Sequence, residues 1–210
     1  KTYIEKALSG VEKKYLNEEV LKVVSKDGQL RLTTEKRTAN FDYCLMCSHP
    51  PQSIKIFENL DYISKGLLSK FIFQKNKAVL HFDESVLPGN KIAWSAWNYH
   101  STKSSSGKDA VSVSYLINKL QPLPFKKSVI VTLNPVSLID KKKIVRCIDY
   151  DHPLFSSEAI LAQNEIKNIQ GKQGVYFSGA WLRYGFHEDG ILSTKKVINK
   201  LFKDDGSEEE

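Results

Sequence analysis

Twelve consecutive residues, Gly179-Ala180-Trp181-Leu182-Arg183-Tyr184-Gly185-Phe186-His187-Glu188-Asp189-Gly190, set three glycines, an imidazole and two carboxylates between an apolar run at 175–178 and a helical pattern that begins near 190. A strand feeding a glycine-bracketed turn into a helix start leaves backbone N–H groups free at the positive end of the helix dipole. An anion such as a pyrophosphate can be held there, and open α/β sheets bind dinucleotides in this way. The same spacing also suits a plain turn in which Glu188 or Asp189 caps the helix, so both readings stand at this point.

Other residues with chemical potential carry less. Cys44 and Cys47 have the spacing of a redox or zinc pair, but on a strand residues three apart face opposite sides, so the sulfurs do not converge. Cys147 stands alone and reads as packing. Trp94, Trp97, Tyr99, Tyr115, Trp181 and Tyr184 could enclose a dry pocket for hydride chemistry or fill a sheet core. On one strand Trp97 and Tyr99 share a face while Trp94 and Asn98 take the other, so Trp97 and Tyr99 are the pair to watch. His187 lies inside the glycine-rich segment, and His152 precedes a proline in a turn. His49, His81 and His100 show no ligand spacing. No metal set and no nucleophile triad assembles from the sequence, and no catalytic residue is assigned.

The elements that must position these residues follow from periodicity. Ile4, Ala7, Leu8, Val11 and Tyr15 form one face of a helix expected to run to Asn17. A hairpin over 20–25 and 30–34, turning at Lys26-Asp27-Gly28, leads to a strand at 41–48 that is apolar on both faces after Asp42, as in a doubly covered sheet. Pro50-Pro51 stops that strand, and Ser53 is expected to cap a short helix to Phe57, followed by a helix over 61–71. Strand-like runs at 77–82, 91–99, 111–117, 129–133 and 144–150, parted by turns and by the loop 101–108, predict a largely antiparallel sheet. Helical spacing returns at 158–169, and the chain closes with a strand at 175–178 and a helix over 190–202.

The chain has 210 residues, 41% hydrophobic and 26% charged, which suits one large or two interleaved globular domains rather than a disordered or disulfide-framework chain. Its longest apolar stretches are far below the roughly 20 residues of a membrane span, and residues 1–16 lack the apolar core of a secretory signal. Three cysteines without framework spacing suit a cytoplasmic compartment. Net charge is +7, but five acids lie within 204–210, so the excess over residues 1–203 is 12. That excess favours anionic partners: nucleic acid, acidic lipid headgroups or a phosphate-bearing cofactor. The lysines are scattered and no nucleic-acid signature appears, so specific nucleic-acid binding is not expected. A non-catalytic basic module for anionic lipid or nucleic acid is the alternative to an enzyme.

The run 176–192 (YFSGAWLRYGFHEDGIL) resembles the C-terminal signature of flavin-containing amine-oxidase-like oxidoreductases, including the flavin domain fused to plant cyclopropane fatty acid synthases. The resemblance extends in order over Phe41-Asp42 through His49-Pro50, 76–81 (NKAVLH), 93–99 (AWSAWNY), 115–122 (YLINKLQP) and 150–155 (YDHPLF). It implies an α/β fold with an α+β insertion: the C-terminal part of a Rossmann-type FAD-binding domain at 1–49 and 173–203, a mostly antiparallel substrate domain at 50–172, and an acidic tail at 204–210. It implies FAD as cofactor, with Gly179, Ala180, Gly185, Phe186, His187, Glu188, Asp189 and Gly190 as contacts, and Trp97, Tyr99, Trp181 and Tyr184 beside an amine or lipid-like substrate. The Gly-x-Gly-x-x-Gly turn of such proteins is absent, so the resemblance makes a preceding part of the same chain a partner. Ser193-Thr194 also replaces the family's usual Ser-Gly, where the helix would approach the cofactor.

Overall fold

The computed structural model describes residues 2–103 and 109–204. The acidic tail beyond Asp204 and most of the loop expected at 101–108 lie outside them. Helices are α1 (Thr2–Ala7), α2 (Pro50–Ile56), α3 (Tyr62–Leu68), α4 (Ile117–Leu120), α5 (Ser157–Glu165) and α6 (His187–Asp204). Strands are β1 (Val20–Lys26), β2 (Gln29–Thr34), β3 (Thr38–Phe41), β4 (Cys44–Met46), β5 (Phe73–His81), β6 (Trp97–Lys103), β7 (Asp109–Leu116), β8 (Ile130–Leu133), β9 (Ile144–Pro153) and β10 (Val175–Phe177). The chain divides into two compact units, one of residues 1–72 with 153–210 and the other of residues 73–152. These limits differ from the expected 50 and 172, because α2, α3 and α5 pack with the first unit: Phe71 meets Trp181, and Lys70 pairs with Glu158.

In the first unit β1, β2 and β3 form an antiparallel meander. The turn between β1 and β2 is made by Asp27 and Gly28, both at positive φ (53° and 77°), the conformation that a two-residue hairpin demands. β4 pairs in parallel with β10, Cys44 beside Val175 and Met46 beside Phe177, in a separate two-stranded sheet. All three β10 residues are buried. The strand expected at 41–48 is therefore two strands in two sheets, with Tyr43 and Leu45 part-exposed rather than doubly covered. The double proline starts α2 instead of clearing the way for a Ser53 cap: Pro50 and Pro51 occupy the first helical positions, whose N–H groups have no intrahelical partner. His49 precedes them, its N–H bonded by Gln52 Oε1 at 3.2 Å, and Ser53 is buried within the helix.

α1 is also shorter than its stripe predicts. Ile4, Leu8 and Val11 are exposed, so no packing offsets the cost of a short helix, and the chain leaves it at Ser9-Gly10. Tyr15 instead lies under the Arg37 guanidinium, 3.1 Å from carbon to ring centre, while Arg37 Nε and Nη2 bond Glu18 at 2.8 and 3.0 Å.

The second unit is a five-stranded sheet ordered β6-β7-β8-β5-β9, and the pairs β6–β7, β7–β8 and β8–β5 are antiparallel as expected. Its register aligns Trp97, Tyr115, Val131 and Leu80 across one face, with Tyr99, Val113, Leu133 and Ala78 in the next row. The other face is buried, apolar at Val79, Leu116 and Ile130 and polar at His81, Ser114 and Thr132. His81 Nε2 and Thr132 Oγ1 are 2.8 Å apart, and Thr132 Oγ1 is 2.8 Å from Ser114 Oγ. His81 Nδ1 accepts the Asp83 N–H at 3.1 Å, which puts the ring proton on Nε2 and makes Thr132 its acceptor. Asp83 accepts from Lys143 Nζ and from the Asp140 and Ser85 N–H groups, which hold its carboxyl well below the usual carboxylate range.

The segment expected as a strand over 91–99 begins as a 3-10 turn, Lys91–Ala93, capped by Asn90; Trp94 follows it outside the strand. Trp94 packs on Leu87, Leu116 and Ile130, and its indole N–H bonds Pro88 O at 2.7 Å. Among the described residues no helix is long and apolar enough to cross a membrane, and no group of three metal-ligating side chains converges.

Candidate cofactor groove

The chain leaves β10 at Ser178, whose N–H continues the parallel pairing onto Met46 O at 3.0 Å. Ser178 is buried, its Oγ 2.9 Å from Ser193 Oγ and 2.7 Å from Thr194 Oγ1, and Ser193 Oγ accepts the Gly179 N–H at 3.0 Å. The Ser193 and Thr194 hydroxyls thus tie α6 to the strand end, Thr194 standing where the resemblance would place glycine. Gly179 (φ 159°) is required where it stands, because a Cβ there would collide with the Trp181 indole. Trp181 is 4% exposed and packs edge-on against Phe71 at 4.6 Å between ring centres. Its indole N–H is buried beside Gly179 with no acceptor among the described residues.

A short 3-10 turn, Ala180–Leu182, reverses the chain. Ala180 O accepts the N–H of both Arg183 and Gly185 at 3.1 Å, and the Gln163 amide of α5 donates to Trp181 O and Arg183 O at 2.9 and 2.8 Å. Helix α6 begins at His187, three residues earlier than expected. Asp189 explains why: buried, it accepts the Phe186 N–H at 3.0 Å and the Tyr184 N–H at 3.2 Å, with Arg183 Nε 3.6 Å from its other oxygen. Of the two readings open in the sequence for the carboxylates, capping is what Asp189 does here.

The turn and the helix line an open groove of about 670 Å³, walled by Ala180, His187, Gly190, Ile191, Thr194, Lys195, Ile198 and Asn199. The helical spacing of these positions puts them on one side of α6. The N–H groups of His187 and Glu188 have no acceptor among the described residues, whereas those of Asp189 and Gly190 bond Phe186 O. The His187 ring meets Tyr3 of α1 edge-on, with Nε2 3.4 Å from the phenol oxygen. Gly190 is the most informative residue here. A Cβ on it would meet nothing nearer than Ala180 N at 3.8 Å, so packing within this chain does not demand glycine. Glycine in a helix costs about 1 kcal/mol relative to alanine.

Of the residues proposed for cofactor contact, Ala180, His187 and Gly190 line this groove. Glu188 adds a free N–H. Gly179 and Gly185 (φ 89°) shape the turn, Phe186 is exposed, and Asp189 is buried beneath the turn. Of the proposed substrate residues, Trp97 (59% exposed) and Tyr99 (69%) share one face of the second unit, with Trp97 edge-on to Tyr115 at 5.1 Å. Tyr184 is exposed beside Arg183, and Trp181 is buried. Asn98 is held by Ser95 and by Ser114 O within the buried face. Sequence reasoning missed Ile191, Thr194, Lys195, Ile198 and Asn199. Their offsets of 4, 7, 8, 11 and 12 from His187, one face of a helix, carried the signal, but only once the helix is known to start there.

Cys44, Cys47 and Cys147 are free thiols. Burial, with Cys47 nearby, pushes the Cys44 thiol up to about 11. That opposes thiolate chemistry at this pair.

No family model and no curated protein matches the sequence. Solved structures do match the fold. A fatty acid isomerase from P. acnes that produces CLA superposes with a TM-score of 0.67 at 14% identity, over 96% of this chain and 51% of its own. A protein described as a putative protoporphyrinogen oxidase from Exiguobacterium sp. 255-15 gives 0.62 at 14% identity over 95% and 50%. Cyclohexylamine oxidase from Brevibacterium oxydans IH-35A gives 0.58 at 11% identity over 96% and 51%. The chain thus has the fold of about half the length of each of these enzymes.

Proposed function

We propose that this chain is the C-terminal part of a flavin-dependent oxidoreductase of amine-oxidase type, and that the groove beside α6 is its share of the FAD site. The observation that carries the reading is Gly190: a helix-destabilising residue, not needed for packing, in the wall of an open groove at a helix start. Fold likeness to oxidases over half their length supports it, as does the ordered sequence resemblance. The residues present fit such a cofactor: the His187 and Glu188 N–H groups offer donors at the positive end of α6, and Ala180 with Gly190 leaves room for close approach. The Trp181 indole N–H, unused by the fold, lies at the same strand end.

When bound, the flavin would supply the acceptor for a hydride from a C–N or C–C unit of the substrate. The protein's own work is positional. Asp189, Ser193 and Thr194 fix the turn so that its donors need no rearrangement. We assign Trp97 and Tyr99, on their exposed apolar face, to the substrate side, where they would exclude water around an amine or lipid-like molecule. The unit of residues 1–72 and 153–210 is read as part of the Rossmann-type flavin domain. The edge of β4 that has no partner strand among the described residues is where a further parallel strand, from a preceding segment of the same protein, would join.

The test is the absorbance of the natural full-length protein after purification and gel filtration. A flavin spectrum that bleaches anaerobically with an amine or unsaturated fatty acid substrate is expected. A colourless protein that also fails to take up added FAD overturns the proposal.

A further inference from the structure

The flank of α6 opposite the groove lines a second cleft of about 500 Å³, closed on its other side by α5 and the 3-10 turn after it. At about 100° per residue, Leu192, Lys196 and Lys200 point away from the side that carries His187 and Thr194, with Ser193 and Val197 at the boundary between the two sides. Four cations line this cleft: Lys167, Arg183, and the pair Lys196 and Lys200 one turn apart on α6. None of the residues lining it is acidic, and its floor is apolar, with Ile166 and Val197 buried.

Two carboxylates stand behind the cations. Asp189 is 3.6 Å from Arg183 Nε, and Asp204 is 3.1 Å from Lys200 Nζ. Lys167 and Lys196 have no carboxylate partner among the described residues. The cleft therefore keeps an excess of about two positive charges, the complement of a phosphomonoester near neutral pH. Its walls are fixed, since Gln163 of α5 is bonded to the Trp181 and Arg183 carbonyls and Gln170 to both the N–H and C=O of Phe177.

We propose that the α5–α6 cleft is a binding site for a phosphate ester, separate from the cofactor groove and independent of the flavin reading. Arg183 supplies a fork of donors, and the lysines supply compact charges that follow a tetrahedral anion. The apolar floor accommodates the organic part of the ester. The chemistry is common to a soluble metabolite and to the headgroup of phosphatidic acid, so the experiment has two arms.

Glycerol 3-phosphate is titrated calorimetrically into the 210-residue chain, and the chain is sedimented with phosphatidylcholine vesicles with and without phosphatidic acid. Two double variants are compared: Lys167→Gln with Lys196→Gln, and the charge-matched control Lys55→Gln with Lys65→Gln on α2 and α3. All four side chains are at exposed or half-exposed positions, and thermal melts verify folding. Saturable glycerol 3-phosphate binding, weakened tenfold or more in the first variant and less than twofold in the control, is expected. Binding of the soluble ester without vesicles assigns a metabolite. Vesicle binding with the same variant sensitivity, displaced by glycerol 3-phosphate, assigns the headgroup. Equal weakening by both variants, or no binding of either probe, overturns the proposal.

Discussion

Replacing Asp189 with alanine isolates the energetics of the turn that opens α6. The carboxylate is buried and accepts two backbone N–H groups, from Phe186 at 3.0 Å and Tyr184 at 3.2 Å, and it faces Arg183 at 3.6 Å. Loss of a helix-start cap costs about 1 kcal/mol, and stranding the second N–H adds about 1 kcal/mol more. The Arg183 contact, with a half-exposed guanidinium at that distance, adds little. A total of about 2 kcal/mol corresponds to a fall in Tm of about 4–8 °C for a chain of this size. Asp189→Asn keeps an oxygen acceptor and loses mainly the charge at the positive helix end, so about 0.5–1 kcal/mol is expected. Thermal unfolding by circular dichroism gives the two values, and amide exchange at Tyr184 and Phe186 locates the effect, with protection lost in Asp189→Ala and partly kept in Asp189→Asn. Equal losses for the two variants, or an alanine variant within about 0.5 kcal/mol of the parent, would refute the assignment of Asp189 as the organiser of the turn.

Other outcomes follow from the same structure. Gly179→Ala should destabilise by about 2 kcal/mol or more, because its Cβ meets the Trp181 ring, whereas Gly190→Ala should be neutral or raise stability by about 1 kcal/mol; denaturant melts of the pair check the contrast. Burial lowers the His81 pKa below 6.5, with Asp83 opposing, so the stability that its neutral form contributes is complete above that value. It should be lost as pH falls from 6.5 through the folded value, while Asp83, already depressed from 3.8, contributes no slope in that window. Urea titrations at stepwise pH read this slope, which His81→Gln should flatten. Alkylation at pH 8 should label exposed Cys147 first and Cys44 last, since burial pushes the Cys44 thiol up to about 11; mass spectrometry of timed samples gives the order.

The sequence made the local features plain where local chemistry decides them. The β1–β2 hairpin was legible because Lys26-Asp27-Gly28 supplies the positive-φ residues that a tight turn needs, and β10 because its apolar run ends at a glycine. The start of α6 was not, because a capping Asp189 is expected just before the helix, whereas it sits three residues in and reaches back to the Phe186 N–H. α1 was overread: its apolar stripe has the right spacing but nothing covers it. The i, i+4 pair Lys196 and Lys200 was legible in the string, but its clustering with Lys167 and Arg183 was not, since that arises only when α5 packs beside α6. The open groove was half legible. Its glycines and histidine stood out, whereas Ile191, Thr194, Lys195 and Ile198 read as ordinary helix positions.

Residue-resolved NMR of the isotopically labelled 210-residue chain, titrated with FAD, addresses the flavin assignment most directly, since it detects weak binding to half a site. Progressive, saturable shifts of the Ala180, His187, Glu188 and Gly190 amides are expected, with Lys167 and Gln170 on the far flank unmoved. Shifts confined to other surfaces, or no shifts at millimolar FAD in a folded chain, would contradict the assignment.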